Sequence, residues 1–216
     1  MKTVLCYGDS NTYGYIPGTG GRYDHKTRWP MALERILNED ADEAEWWVDE
    51  EGLNGRTSCF DDPVELERNG LRHIIPILKS HKPLDIVAVM LGTNDLKRRF
   101  NPSPYDVAQG VLNVIKAIQH SETGPGDGAP KVLVICPPPI LESPVFGDVF
   151  SGSAAISRRL AHFYRQVCKE SGAAFFDSGG VVKVSDIDGV HLESSEHLRL
   201  AEALSEIVRG IYLRHH

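Results

Sequence analysis

The sequence has no apolar run long enough to cross a membrane. Its longest, such as Ile86–Leu91 and Val132–Cys136, fall far short of the roughly 20 residues a spanning helix needs. It has no basic excess either: 23 Lys and Arg against 30 Asp and Glu leave a formal charge of −7, which argues against a nucleic-acid partner. The glycine patterns that cradle phosphates, G-x-G-x-x-G and the P-loop, are missing. Cysteine is scarce and scattered. Cys6, Cys59, Cys136 and Cys168 form no C-x-x-C pair and have no histidine at metal-ligand spacing, so neither a disulfide framework nor a metal site is expected. Cys6 and Cys136 lie in apolar runs, where a free thiol behaves as a small hydrophobe. Such usage fits a reducing, cytoplasmic compartment. The opening Met1–Tyr7 is too short in apolar residues for a signal peptide and reads as a strand. There is no internal repeat or low-complexity tract, and the terminal His215-His216 pair is given no functional weight.

What is present is a regular alternation. With 41% hydrophobic and 25% charged residues, the 216-residue chain has an ordinary globular composition. Strand-like runs at Lys2–Tyr7, Trp46–Val48, Leu84–Leu91, Lys131–Cys136 and Ala173–Asp177 are separated by helical patterns. The helices read Pro30–Asn38, Asn69–Ser80 (with Pro76 a strain at its middle), Ser103 to about His120, Ser153–Ser171 and Ser194–Tyr212. Ser103-Pro104-x-Asp106 carries a hydroxyl N-cap and an acidic third position. Strands alternating with helices imply right-handed crossovers and a parallel sheet. One α/β domain spanning 1–216 is therefore expected.

Ligands of such sheets bind beyond the carboxyl ends of the strands. The segments there are Gly8-Asp9-Ser10-Asn11-Thr12, Glu51–Thr57, Gly92-Thr93-Asn94-Asp95, Pro137-Pro138-Pro139 and Asp186–His191. Ser10 is a candidate nucleophile, although a serine in a Gly-Asp-Ser-Asn turn can equally cap the next helix. A serine nucleophile needs a base and a group that orients the base. Asp188-Gly189-Val190-His191 is the one Asp-x-x-His in the chain. Its offset lets the carboxylate reach Nδ1 while Nε2 faces the serine. An acyl-transfer site also needs donors for the developing oxyanion. Asn94 offers a side-chain amide, and Gly55 and Ser10 offer backbone N–H groups. Singly, each has a bland reading as a turn residue. Together they fall on one edge of one expected sheet.

In this pattern the sequence resembles the SGNH (GDSL) hydrolases. Gly8-Asp9-Ser10, Gly55, Gly92-x-Asn94-Asp95 and Asp188-x-x-His191 match that family's four blocks in order. The resemblance implies a flavodoxin-like sheet of order 2-1-3-4-5, Ser10 as nucleophile, His191 as base and Asp188 as its orienter. It also implies an oxyanion hole of Ser10, Gly55 and Asn94, with no cofactor and no metal. A closer similarity, through Gly8–Tyr15, Glu50–Thr57, Met90–Lys97 and Pro137-Pro138-Pro139, is to the arylesterase and acyltransferase branch. That branch implies short-chain and aryl esters as substrates, acyl transfer or perhydrolysis in some members, and a homo-oligomer, in some members an octamer. Its best-known acyltransferase has tryptophan where this chain has Tyr13 and Tyr15, and alanine where it has Gly55, which weighs toward esterase character. A carbohydrate O-deacetylase of the same family is the alternative. A flavodoxin-like module holding phosphate or flavin at the first loop is another, but it leaves Asn94, Asp188 and His191 unexplained.

The remaining features take simpler readings. Trp46 and Trp47, adjacent on a strand, should face opposite sides. His73, His81, His120, His162 and His197 read as helix-surface residues. Lys97-Arg98-Arg99 reads as a solvated basic face. Tyr13, Tyr15, Phe100, Ile140, Phe146, Phe150 and Val190 are candidates for an apolar acyl and aryl pocket.

Overall fold

The computed structural model describes residues 1–41 and 43–213. His215 and His216 lie outside the described residues. Five strands, β1 (Lys2–Gly8), β2 (Trp46–Gly52), β3 (Ile86–Met90), β4 (Lys131–Cys136) and β5 (Ala174–Asp177), form one parallel sheet in the order β2-β1-β3-β4-β5. This is the expected architecture. β2 runs four residues further than its apolar start suggests. It is an edge strand pairing with β1 along its whole length, Lys2 opposite Trp46 through to Gly8 opposite Gly52, so its acidic half, Asp49-Glu50-Glu51, needs no apolar cover. Trp46 is buried and Trp47 half exposed, as their alternation requires.

The central strands are buried on both faces and split their side chains between two cores. Leu5, Tyr7, Val87, Val89, Val132 and Val134 point into one. Val4, Cys6, Ile86, Ala88, Leu133 and Ile135 point into the other. Helices α3 (Gly70–His81), α4 (Pro104–Gln119) and α7 (Leu160–Ser171) cover the first core. Helices α2 (Trp29–Leu37) and α8 (Ser194–Leu213) cover the second. The start of α4 is a capping box: Ser103 Oγ accepts from the Asp106 N–H, and the Asp106 carboxylate accepts from the Ser103 N–H. α3 runs through Pro76, which sits on its exposed side. The single helix expected over Ser153–Ser171 is broken into α6 (Ser153–Ser157) and α7. At the break, Ser157 Oγ accepts from the Ile140 N–H and so holds the segment after β4. Two short helices, α1 (Ser10–Tyr13) and α5 (Gly147–Phe150), complete the set. No helix among the described residues is long and apolar enough to cross a membrane.

The order of the strands creates a crevice. The chain leaves β1 for β2 on one side and later leaves β3 for β4 on the other. The segments following β1 and β3 therefore diverge, which is where open α/β sheets bind ligands.

Two surface readings are overturned. His197 is completely buried. It lies on the same stripe of α8 as Leu200, Ala201, Leu204 and Val208, so it faces the core by the helical period. Its Nδ1 accepts from the Trp29 N–H at 3.3 Å, and its ring meets Tyr23 edge-on. The other four histidines are exposed or half-buried. Lys97 is also buried, its side chain 3% exposed. Its ammonium contacts Asp62 at 3.2 Å and Glu65 at 2.6 Å, and Arg99 contacts the same pair at 2.7 and 2.9 Å. Burial raises the Asp62 carboxyl, but hydrogen bonds from Arg99, the Val64 and Glu65 backbone and Lys97 outweigh it and hold it well below the usual range. Only Arg98 and part of Arg99 remain solvated. The sequence gives no sign of this, because the acidic partners lie more than thirty residues away.

Both corrections predict stability effects. Burial, then the nearby charges of Arg28 and His191, lower the His197 imidazole from 6.5 to about 4. The folded state thus prefers the neutral ring, and stability is lost as pH falls from 6.5 toward 4. Urea unfolding of wild type and His197→Gln should show a stability gap that is constant above pH 7. Between pH 7 and 4 it should move in the variant's favour by about 3 kcal/mol. A gap that does not change with pH would contradict this origin. For the ion-pair network, Lys97→Met should cost about 3 kcal/mol, the low end for a buried pair broken on one side, because Arg99 still faces Asp62. Arg98→Ala should stay within about 0.5 kcal/mol. Equal losses in the two urea titrations would restore the solvated-face reading of Lys97.

Candidate active site

The first residues after β1 fold into α1, capped by Asp9, whose Oδ1 accepts from the Asn11 N–H at 3.0 Å. This puts Ser10 at the first turn of a four-residue helix, over the crevice between β1 and β3. His191 arrives from the far end of the chain in a tight loop. One oxygen of Asp188 accepts from the backbone N–H groups of Val190 and His191, both at 3.0 Å. The other oxygen meets His191 Nδ1 at 2.8 Å. The Asp-x-x-His spacing works because one carboxylate both folds the loop and holds the ring. His191 Nε2 lies 2.9 Å from Ser10 Oγ. Burial raises the Asp188 carboxyl, but the bonds from the His191 ring and from the His191 and Val190 N–H groups bring it below its ordinary value. It is therefore ionised beside the imidazole. Tyr15 stacks on the His191 ring at 4.1 Å, and Phe146 meets it edge-on.

The three oxyanion candidates, Ser10, Gly55 and Asn94, line one cavity. The backbone N–H groups of Ser10 and Gly55 donate to no other residue among those described. Gly55 adopts φ +81°, a conformation that glycine takes without steric cost, and a Cβ there would meet the end of the Glu65 side chain. Asn94 Nδ2 donates one hydrogen to the Arg56 carbonyl at 3.2 Å, which fixes the amide plane. Gly92 at φ +121° lets the Tyr164 hydroxyl pass beneath the same segment and donate to the Leu91 carbonyl at 2.9 Å.

Several buried polar residues, unassigned by sequence reasoning, fasten these loops. The Arg56 guanidinium donates to the carbonyls of Gly8 and Glu51 and lies 4.1 Å from the Tyr7 ring, so it ties the ends of β1 and β2 together. Asp95 accepts from the N–H and hydroxyl of Ser58, joining the segments after β3 and β2. Burial pushes the Asp95 carboxyl up to about 6, and the Asp9 carboxyl likewise. Lys97 adds a second tie through Asp62 and Glu65.

Ser10, Gly55, Asn94 and His191 open onto a cavity of about 190 Å³. One wall is apolar: Tyr15, Phe146, Val149, Phe150 and Val190. Its polar lining is Asn54, Glu65 and Lys97. Four of the seven pocket candidates are therefore in place. Tyr13 instead packs beneath the Arg22 guanidinium, Phe100 against Phe60, and Ile140 is buried in the core. A larger cavity of about 340 Å³, at the start of β2, is lined by no serine, cysteine or histidine among the described residues.

Comparison with known proteins identifies the family. Residues 6–200 match the model of the GDSL-like Lipase/Acylhydrolase family. The structure is similar to that of the native aryl esterase of M. smegmatis: 36% identity, TM-score 0.91, covering 98% of this chain and 100% of that one. It is equally similar to Est24, a carbohydrate acetylesterase from Sinorhizobium meliloti, at 35% identity, TM-score 0.91 and the same coverage. None of the curated proteins matches the chain. The family takes the place of the phosphate- or flavin-binding module as an account of the first loop. The chain belongs to the GDSL-like lipase/acylhydrolase (SGNH) family and is a carboxylic ester hydrolase.

Proposed function

We propose that the protein hydrolyses short-chain and aryl carboxylic esters through an acyl-enzyme on Ser10. The observation that carries this reading is the continuous relay from Asp188 through His191 to Ser10, at 2.8 and 2.9 Å, on the wall of a small cavity. Ser10 Oγ attacks the ester carbonyl carbon as its proton passes to His191 Nε2. The tetrahedral oxyanion accepts from the Ser10 and Gly55 N–H groups and Asn94 Nδ2. The C–O bond then breaks, and the alcohol leaves with the proton from His191. Water attacks the acyl-enzyme, gives its proton to His191, and the acid departs as Ser10 recovers its own. An alcohol or peroxide in place of water would give acyl transfer or perhydrolysis as a side reaction.

Size and polarity of the cavity support small substrates. Sites for drug-sized ligands run from about 300 to 1,000 Å³, and this one is smaller. The apolar wall of Phe146, Val149, Phe150 and Val190 suits a short acyl chain or an aryl ring. The polar wall favours a second reading, an acetylated carbohydrate. The Asn54 side-chain oxygen is buried without a hydrogen-bond partner, and a sugar hydroxyl could donate to it. Nitrophenyl esters from acetyl to octanoyl, run beside acetylated sugars, separate the two by kcat/KM.

A fluorophosphonate probe should add one label to the intact mass and map to Ser10. Ser10→Ala and His191→Ala should each remove nearly all turnover, with the double variant little worse, since members of a triad act as a unit. Asn94→Ala should lower kcat by roughly 10²–10³ with little change in KM. Asp188→Asn should cost on the order of 10⁴ in kcat, the scale of that change in chymotrypsin-type enzymes. Labelling elsewhere, or an active and folded Ser10→Ala, would remove Ser10 from the mechanism.

A further inference from the structure

Next to the nucleophile, Asn11 is 2% exposed and does not enter the reaction as written above. Its side-chain Nδ2 donates to the Val190 carbonyl at 3.1 Å, and its Oδ1 accepts from the Leu192 N–H at 3.0 Å. These two backbone groups bracket His191. The carboxamide presents a donor and an acceptor side by side, as a peptide group of a neighbouring strand would. On its other side, His191 is held by its own loop: its N–H donates to Asp188 Oδ1 and its carbonyl accepts from the Ser185 N–H at 2.7 Å. The loop bonds set His191 relative to Asp188. They do not set it relative to Ser10.

The geometry points to Asn11 as the positioning residue that sets the distance between base and nucleophile. The assignment rests on the reading of Ser10 and His191 given above. Asn11 follows Ser10 directly, and its own N–H is pinned to Asp9 Oδ1 at 3.0 Å. The clamp therefore ties the imidazole to the nucleophile's own turn through bonds that span 179 and 181 positions of sequence. Tyr15 stacks on the His191 ring, but a ring face leaves the imidazole free to slide in its plane. The two hydrogen bonds to its flanking peptides do not. A misplacement of about 1 Å in a catalytic group can cost on the order of 10² in rate. His191 carries the proton in both acylation and deacylation, so losing the clamp slows both steps together.

The test is Asn11→Leu, which keeps side-chain bulk and removes both bonds, with Asn11→Asp as its companion. Asn11→Asp keeps the acceptor for Leu192 and loses the donor to Val190. Rates are taken per active site, titrated with a nitrophenyl ester burst, so that a smaller folded fraction does not register. The expected result for both variants is a 10- to 100-fold lower kcat per site with KM within about threefold. Acylation and deacylation should slow by the same factor, and fluorophosphonate labelling of Ser10 should slow in parallel. An unchanged kcat per titrated site, with only fewer titratable sites, makes Asn11 a structural residue and overturns the assignment. If Asn11→Leu does not fold, Asn11→Asp decides. Ser10→Ala is measured alongside. If it stays active, the nucleophile reading fails and the clamp with it. If it is inactive while the Asn11 variants keep full per-site rates, the clamp alone fails.

Discussion

The site depends on where the strand order reverses. A strand order of 2-1-3-4-5 forces the chain to leave β1 one way and β3 the other. No crossover can cover the gap between them, so the ends of β1 and β3 are both central and open. Ser10 and Asn94 are the residues that emerge there. The apolar cores on the two faces make this position rigid. β3 is buried throughout, and the residues of β1 from Val4 onward are buried as well. A side chain at the end of such a strand, as Ser10 is, has little freedom to move, which is what near-attack geometry requires.

Rigid strands do not by themselves bring loops together. Four loops must converge on the 2.9 Å contact between Ser10 and His191, and the fold fastens them with buried polar groups. Arg56 joins β1 to β2, Asp95 joins the segment after β3 to Ser58, and Lys97 joins it to Asp62 and Glu65. A buried ion pair often contributes little net stability compared with apolar residues of the same volume. What such pairs supply here is direction: each accepts one geometry, whereas an apolar contact would tolerate several. Gly55 and Asn94 sit on the segments so held.

This division explains what could be read in the sequence. The sheet was legible because each strand declares itself over a few residues, and the crossover rule then leaves few topologies. The candidate residues that meet at Ser10 were legible because they obey local rules. Asp188 folds its own loop through a three-residue offset, and Gly55 occupies a positive φ. His197 is readable in principle from the stripe it shares with Leu200, Ala201 and Leu204, but histidine is intermediate in burial, so the residue type alone does not place it in the core. Lys97 could not have been read. Its charge is cancelled by Asp62 and Glu65, whose approach depends on the tertiary path of a loop. The pocket shares that limit. Val149 and Asn54 line it while Tyr13 and Phe100 do not, because facing inward from a loop or a single helical turn follows no period that a sequence displays.

Fastening loops with buried ionisable groups also shapes the response to acid. Burial raises Asp9 and Asp95 from 3.8 to about 6, so the folded state carries a strain at neutral pH that is relieved as pH falls through 6 toward 4. Over much of the same interval His197 works the other way, since its neutral form is the one the core accepts. The two effects oppose each other between pH 4 and 6. Below that range the balance is lost. Asp62 and Asp188 are held ionised by their partners, and protonating them removes stability as pH falls through and below 4. Asp62 anchors the loop that carries Gly55, and Asp188 folds the loop that carries His191. The first structure to loosen in acid should therefore be the ring of loops around Ser10, before the two apolar cores that flank the sheet.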